Sequence, residues 1–415
     1  MSDYIKGSVY ESTLNGRVPN DGMKINGIEK ITYYNPLAKK NQTQSYLDMD
    51  DIIVTLILRK NKEGKYQFAM EYKYVPAAER TMLELPVIST MQNTASYDGE
   101  TIEDLLETGL IDNYGIDMIG YRKIDGTATP VSQSFTNQKA TAVLAYTRQE
   151  ESENNNLEWF DISSLKDYLT NYVRFSSLQT AYVMQSFYEQ FQDKEELQDT
   201  PTKFEVDQDK INTEEPFEKH HNIMEHKYRF GVDFFSNEER NVEEGPDAEI
   251  GLSKNSVQCI MTRKIDGKIY VGLSKQQRSP FIATKNFDEY LYEIAAGMVE
   301  PGESYEEAAK RETIEETGID IEKQKLTYIG TQLLSTVTQE ESAFYICEVS
   351  ENSNYGEQNL DSDENISQIE WVPADEINLE KLNAPLPTKY AILKAREYFS
   401  KEKERTVLQK DSQER

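Results

Sequence analysis

The chain has 415 residues, of which 37% are hydrophobic and 10% aromatic, with a formal net charge of -29. That length exceeds one typical core and points to two domains. The acidity argues against nucleic acid as a partner, since phosphate binding needs a Lys/Arg surface. It would also repel a phosphorylated small molecule unless a local cation intervened. No run of 18 apolar residues exists, so no membrane partner is expected, and the first residues lack the basic-then-apolar pattern of a secretory signal. Cys259 and Cys347 lie in strand-like runs and are expected to be buried, reduced thiols of a cytoplasmic protein.

In chain order, residues 1–50 read as a strand-containing lobe. DIIVTLILRKNKEGKYQFAMEYKYVP (51–76) then has the form of a hairpin, two β-branched or aromatic runs around a charged turn with Gly. LELPVI (83–88) is a short strand. DGETIEDLLETGLIDNYGID (98–117) is a turn and a helix, whose Leu105, Leu106, Leu110 and Ile111 are expected to pack on a sheet. NLEWFDISSLKDYL (156–169) and an aromatic-rich helix, LQTAYVMQSFYEQF (178–191), complete this part. The polar, acidic stretch 191–210 has the composition of a domain boundary.

The same order then recurs. Residues 203–255 form a second lobe, holding all three histidines (His220, His221 and His226) in a spacing that matches no common metal site. SVQCIMTRKIDGKIYVGLSKQQRSP (256–280) repeats the hairpin, YEIAAGM (292–298) the short strand, and PGESYEEAAKRETIEETGID (301–320) the turn and helix. QIEWVPADEINLEKL (368–382) and KYAILKAREYFSKE (389–402) follow, before a charged tail from Lys401 that is expected to fray. The repeat is too long for a solenoid and marks a duplicated domain. The expected architecture is mixed α/β (α+β), with domains at 1–195 and 203–415.

The two turn–helix segments share seven of twenty residues but not their charges. In the second, Ser304 and Glu307 form a capping box and Gly318 stands at the helix C-terminus. Glu312, Glu315 and Glu316 fall at i, i+3 and i+4, on one face. Like charges at that spacing repel, and the negative end of the helix dipole adds to the cost. Arg311 offsets part of it, and a divalent cation would relieve the rest. In the first copy the positions of Arg311, Glu312, Glu315 and Glu316 hold Thr108, Gly109, Asp112 and Asn113. Catalysis is therefore expected in the second copy alone.

GMVEPGESYEEAAKRETIEETGI (297–319) resembles the Nudix box, Gly-x5-Glu-x7-Arg-Glu-U-x-Glu-Glu-x-Gly-U, with U aliphatic; Thr313 departs from it at the first U. The resemblance implies two α/β/α sandwich domains and metal-dependent hydrolysis of a nucleoside diphosphate linked to a group X. It implies Mg²⁺, with Mn²⁺ as the alternative, on Glu312, Glu315, Glu316 and the carbonyl of Ala296, with Arg311 and Glu303 orienting the carboxylates. YEIAAGMVEPGE is similar to the E-x-P-A-G…GE segment of ADP-ribose pyrophosphatases, with Ala295 in place of Pro. QQRSP (276–280) likewise makes Arg278 a candidate substrate-phosphate ligand. LLSTVTQEESAFYICEV (333–349) is laid out like that family's loop with a catalytic Glu, which places the base at Glu340, with Glu341 or a box glutamate as alternatives. Such enzymes are homodimers, so the fused copies would form a pseudo-dimer within one chain. Further homo-oligomerisation is left open.

Overall fold

The computed structural model describes residues 5–6, 25–35, 40–75, 78, 80–90, 101–126, 128–131, 136–148, 157–194, 202–207, 210, 223–227, 237–240, 248–252, 254–278, 290–336, 340–350, 353, 356–360 and 366–413. Strands β1 (Ile5–Lys6), β2 (Ile25–Asn35) and β3 (Lys40–Met49) make an antiparallel lobe sheet. The first-domain sheet follows, from β4 (Ile52–Lys60), β5 (Tyr66–Val75), β6 (Arg80–Glu84), β7 (Val87–Ser89), β8 (Met118–Lys123), β9 (Thr129–Pro130), β10 (Lys139–Thr147) and β11 (Leu157–Asp161). Helix α1 (Ile102–Tyr114) lies between β7 and β8, and α2 (Leu178–Phe191) closes the domain.

A second lobe sheet comprises β12 (Ile223–Lys227), β13 (Asn237–Arg240) and β14 (Ala248–Leu252). Of the three histidines, His226 falls on β12, and His220 and His221 lie outside the described residues. The second main sheet uses β15 (Ser256–Ile265), β16 (Lys268–Gln276), β17 (Leu291–Glu293), β18 (Ala295–Met298), β19 (Leu326–Leu333), β20 (Glu341–Glu348) and β21 (Glu370–Pro373). Helix α3 (Tyr305–Thr317) follows β18, and α4 (Leu386–Gln413) ends the chain. It runs through the tail that the sequence expects to fray.

Apart from β9, which pairs with β10 and has no described counterpart, the strands of the two main sheets correspond. Each is built on a central parallel pair, β4 with β10 and β15 with β20. Each pair is flanked antiparallel by β8 or β19, and the hairpins β4–β5 and β15–β16 extend to β11 and β21. The short strands β7 and β18 pair with β4 and β15 in one register: Ile53 faces Ile88 as Val257 faces Gly297.

Side-chain alternation splits each sheet between two cores. In β4, Ile53 and Ile57 face α1, joining Leu106, Leu110 and Tyr114. Those helix residues are spaced by four, so they share one face. Ile111 sits off that face and is exposed, contrary to its expected packing, while Leu105 packs at the margin. In the second domain Val257, Cys259 and Met261 face α3, meeting Ala308 and Ala309. Burial pushes the Cys259 thiol up to about 12. The remaining faces (Val54, Leu56 and Leu58 on β4; Phe344 and Ile346 on β20) close on α2 and α4 in one continuous core. Helix α2 packs on α4, so the layers run α1, sheet, α2 with α4, sheet, α3.

Charged pairs also cross between domains. Buried Lys389 of α4 donates to Asp125 (3.1 Å) and Thr129 (2.8 Å) beyond β8, and Tyr182 of α2 donates to the same Asp125 carboxylate at 2.8 Å. Arg396 of α4 pairs with Glu189 of α2 at 2.9 Å. Residues 202–207 and Lys210 also lie on the first domain: Phe204 is buried among the rings of Phe68, Phe160, Tyr168 and Tyr172, and Lys210 pairs with Glu158 at 2.6 Å. No helix among the described residues is long and apolar enough to cross a membrane.

Candidate active site

Helix α3 begins as its capping box dictates. Ser304 accepts from the Glu307 amide at 3.3 Å, and the Glu307 carboxylate accepts from the Ser304 amide at 2.9 Å. It ends at Gly318 with φ of 70°, where an added Cβ would meet the Gly356 carbonyl oxygen at 2.5 Å, so the position requires glycine. Thr313 is fully buried, and its hydroxyl donates to the Ala309 carbonyl at 2.6 Å. The polar departure in the box is thereby satisfied within its own helix.

Arg311 organises the carboxylates. Its Nε and Nη2 donate to the two oxygens of Glu303 at 2.9 and 3.0 Å, and Nη2 also donates to the Met298 carbonyl at 2.9 Å. Nη1 donates to Glu312 at 2.7 Å and to Glu315 at 3.1 Å. All five guanidinium N–H groups thus have an acceptor, which a lysine could not reproduce. The Arg311 hydrogen bonds hold the Glu303 carboxyl below the usual carboxylate range, and those same bonds raise Arg311 further.

Glu312 lies directly over Gly297. A Cβ there would sit 1.9 Å from the Glu312 carboxyl carbon, so only glycine leaves the cradle open. Glu316 is buried, and its Oε2 accepts from the Ala296 amide at 3.1 Å, setting that peptide beside the box carboxylates. The available donors are carboxylate and carbonyl oxygens, which suit a hard divalent cation. Among the described residues no three His, Cys, Asp or Glu groups converge at metal-binding distance. Arg311 instead holds Glu312 and Glu315, and the Ala296 amide holds Glu316.

Arg278 is not a loose surface cation. Its Nε and Nη2 bind the buried Glu293 carboxylate at 3.0 and 2.6 Å. Glu293 opens the E-x-P-A-G-like stretch, and Glu84 occupies the same register in the first copy, but nothing in the sequence marks Glu293 as the partner of Arg278. Glu84 is itself buried and accepts from Ser177 and Thr180, and burial raises its carboxyl above the ordinary range. Glu340 is buried just before β20, and its carbonyl accepts from Leu334 at 3.0 Å. Glu341, the alternative base, pairs at 3.0 Å with Arg80 of the first domain. Neither Arg80 nor Asn255, which bonds to both Glu341 and Tyr305, carries a motif that sequence reasoning could detect.

In the first domain the matching helix keeps its capping box, Thr101 with Asp104, and its left-handed Gly115. Thr108, Asp112 and Asn113 are exposed, and an added Cβ on Gly109 would meet Ile88 at 2.6 Å.

The chain is similar in part to several known proteins. A match of 64% identity over 33 residues links the chain to an NAD-capped RNA hydrolase of Schizosaccharomyces pombe, covering 8% of this chain and 9% of that protein. Among solved structures, an ADP compounds hydrolase shares 10% identity, with a TM-score of 0.33 over 47% of this chain and 96% of that one. A NUDIX hydrolase from Listeria monocytogenes shares 19% identity, with a TM-score of 0.28 over 36% and 97%. The NUDIX domain of Shewanella oneidensis NrtR, complexed with ADP ribose, shares 16%, with a TM-score of 0.28 over 35% and 89%. These scores add no weight of their own. The NUDIX domain family matches residues 254–391, the segment that carries Gly297, Glu303, Arg311 and the three box glutamates, and this part of the chain is a NUDIX domain.

Proposed function

We propose that the second domain hydrolyses the phosphoric anhydride of a nucleoside diphosphate linked to X, with ADP-ribose as the foremost substrate, giving AMP and ribose 5-phosphate. The observation that carries this reading is the Arg311 fork, which gathers Glu303, Glu312, Glu315 and the Met298 carbonyl beside the Gly297 cradle. A carboxylate cluster kept at that electrostatic cost serves a cation better than it serves stability.

Glu312, Glu315, Glu316 and the Ala296 carbonyl would hold Mg²⁺ or Mn²⁺. When bound, the ion supplies charge neutralisation of the pyrophosphate and a lowered pKa for coordinated water. Arg311, itself held by Glu303, orients the Glu312 and Glu315 carboxylates. Glu340 would take the proton from the attacking water; its oxygen bonds to phosphorus as the bridging P–O bond breaks. Arg278, oriented by Glu293, would face the substrate phosphates, a local cation in an acidic protein. The first domain would serve as the silent half of a pseudo-dimer.

A second reading, favoured by the short stretch of identity with the NAD-capped RNA hydrolase, makes X a second nucleoside, as in a dinucleotide. The test is a panel of ADP-ribose, dinucleotides, nucleotide sugars and nucleoside triphosphates with Mg²⁺, on wild type and Glu316→Gln. Cleavage by wild type alone supports the hydrolase, and the preferred compound separates the readings. No Mg²⁺-dependent cleavage anywhere on the panel would leave a nucleotide-binding module instead.

A further inference from the structure

We propose that Arg80 of the first domain is a positioning residue for the second-domain site, holding the segment that carries Glu340 in register with helix α3. The proposal rests on the hydrolase reading above. Arg80 opens β6, and its Nη2 donates to Glu341 Oε1 at 3.0 Å across 261 residues of chain. Glu341 is the first residue of β20 and directly follows Glu340.

From Glu341 the connection continues into the site. The Glu341 amide donates to Asn255 Oδ1 at 3.2 Å, and Asn255 Nδ2 donates to the Tyr305 hydroxyl at 2.7 Å. Tyr305 is the first residue of α3, and the Asn255 carbonyl accepts from Val299 at 2.9 Å, just beyond the Gly297 cradle. Asn255 therefore ties together the start of β20, the end of β18 and the first turn of the box helix. Arg80 anchors that tie from outside the domain.

The first domain also holds the other stem of the same segment. Leu333, the last residue of β19, is buried against Val75 and Met82 and forms a parallel bridge with Ser177. The Leu334 amide then donates to the Glu340 carbonyl at 3.0 Å, closing the two stems on each other. One stem is gripped by apolar contact and the other by charge, and both grips come from the domain whose box helix holds only Asp112 where the second has three glutamates. The Arg80 and Glu341 side chains are each about one third exposed, at 32% and 34%, so their pairing adds little to stability. Its effect is geometric and belongs in turnover.

The test uses the full chain: wild type, Arg80→Met, Glu341→Gln, and the reversed pair Arg80→Glu with Glu341→Arg. With ADP-ribose and Mg²⁺, each single change is expected to lower kcat roughly 10- to 100-fold, with KM within about twofold and Tm unmoved. The reversed pair should recover most of the loss. Wild-type kcat in Arg80→Met, or reversal losses that simply add, would overturn the proposal. Amide hydrogen exchange supplies an arm that needs no turnover. The Glu341 amide should exchange faster in Arg80→Met, and unchanged exchange would count against the tether. Should wild type cleave nothing, the hydrolase reading falls, and exchange alone decides whether Arg80 orders this stem.

Discussion

Ile88 and Gly109 of the first domain occupy the positions that Gly297 and Glu312 occupy in the second. In the second domain the glycine is on the strand and the large charged side chain is on the helix. In the first domain the sizes are exchanged, and Ile88 fills the space over a helical glycine. Where the second domain has a cradle, the first has core. A Cβ on Gly109 would meet Ile88 Cγ2 at 2.6 Å. Gly109→Ala gains about 1 kcal/mol of helix propensity but overpacks by about 1–3 kcal/mol. We expect a net loss of up to about 2 kcal/mol by urea denaturation, relieved when Ile88→Val accompanies it. Stabilisation by Gly109→Ala alone would contradict the close packing.

Gly297→Ala should fold yet lose activity, because its Cβ would displace the Glu312 carboxylate, whose carbon stands 1.9 Å away. A fall in kcat/KM of at least about 100-fold is expected, with circular dichroism unchanged. Near-normal Mg²⁺-dependent turnover would show that Glu312 has no role at this position.

The Arg311–Glu303 bond gives stability a defined pH dependence. The Arg311 hydrogen bonds depress the folded-state pKa of Glu303 below its unfolded value of about 4.3. Its contribution is therefore complete above that pH and is lost as pH falls through the lower, folded pKa. Between pH 5 and 3, wild type should lose more stability than Arg311→Met, in which the depression is removed. Parallel acid-unfolding curves would show that the pair is not coupled to folding.

At the domain junction, Lys389→Met would leave Asp125 buried and stripped of its cation, at a cost of about 3–5 kcal/mol. Lys389→Met with Asp125→Asn should recover much of that, since no lone charge remains. Thermal melts of the single and double variants decide it, and equal losses would place the cost in packing alone.

Residues 211–415 expressed alone should be poorly soluble or inactive. Their α4 would expose Tyr390, Leu393 and Phe399, which now share a core with α2, and Leu333 would lose Val75 and Met82. A soluble, fully active fragment, judged by size-exclusion chromatography and turnover, would contradict that dependence.

The hairpins, both helices, the capping box of the second and the spacing of its glutamates are legible because each rests on local spacing: a capping box spans four residues and the box glutamates share one helix face. The duplication is legible because the same order of segments recurs. Ile111 misled because it is apolar yet one residue off the buried face. Arg278 is a candidate from its local stretch, but its partner Glu293 lies on a neighbouring strand whose pairing no periodicity reveals. Arg80, Asn255 and the Lys389–Asp125 pair depend on contacts across many residues, and their local sequence carries no mark of them.

The shared strand pairing of the two sheets has a consequence for how such a chain can change. In a homodimer every substitution is made twice, so a residue cannot improve the contact on one side without also altering the reaction on the other. Joining the copies in one chain removes that coupling. Ile88 could replace a glycine, and Arg80 could serve its neighbour, without either change being imposed on the half that keeps its carboxylates.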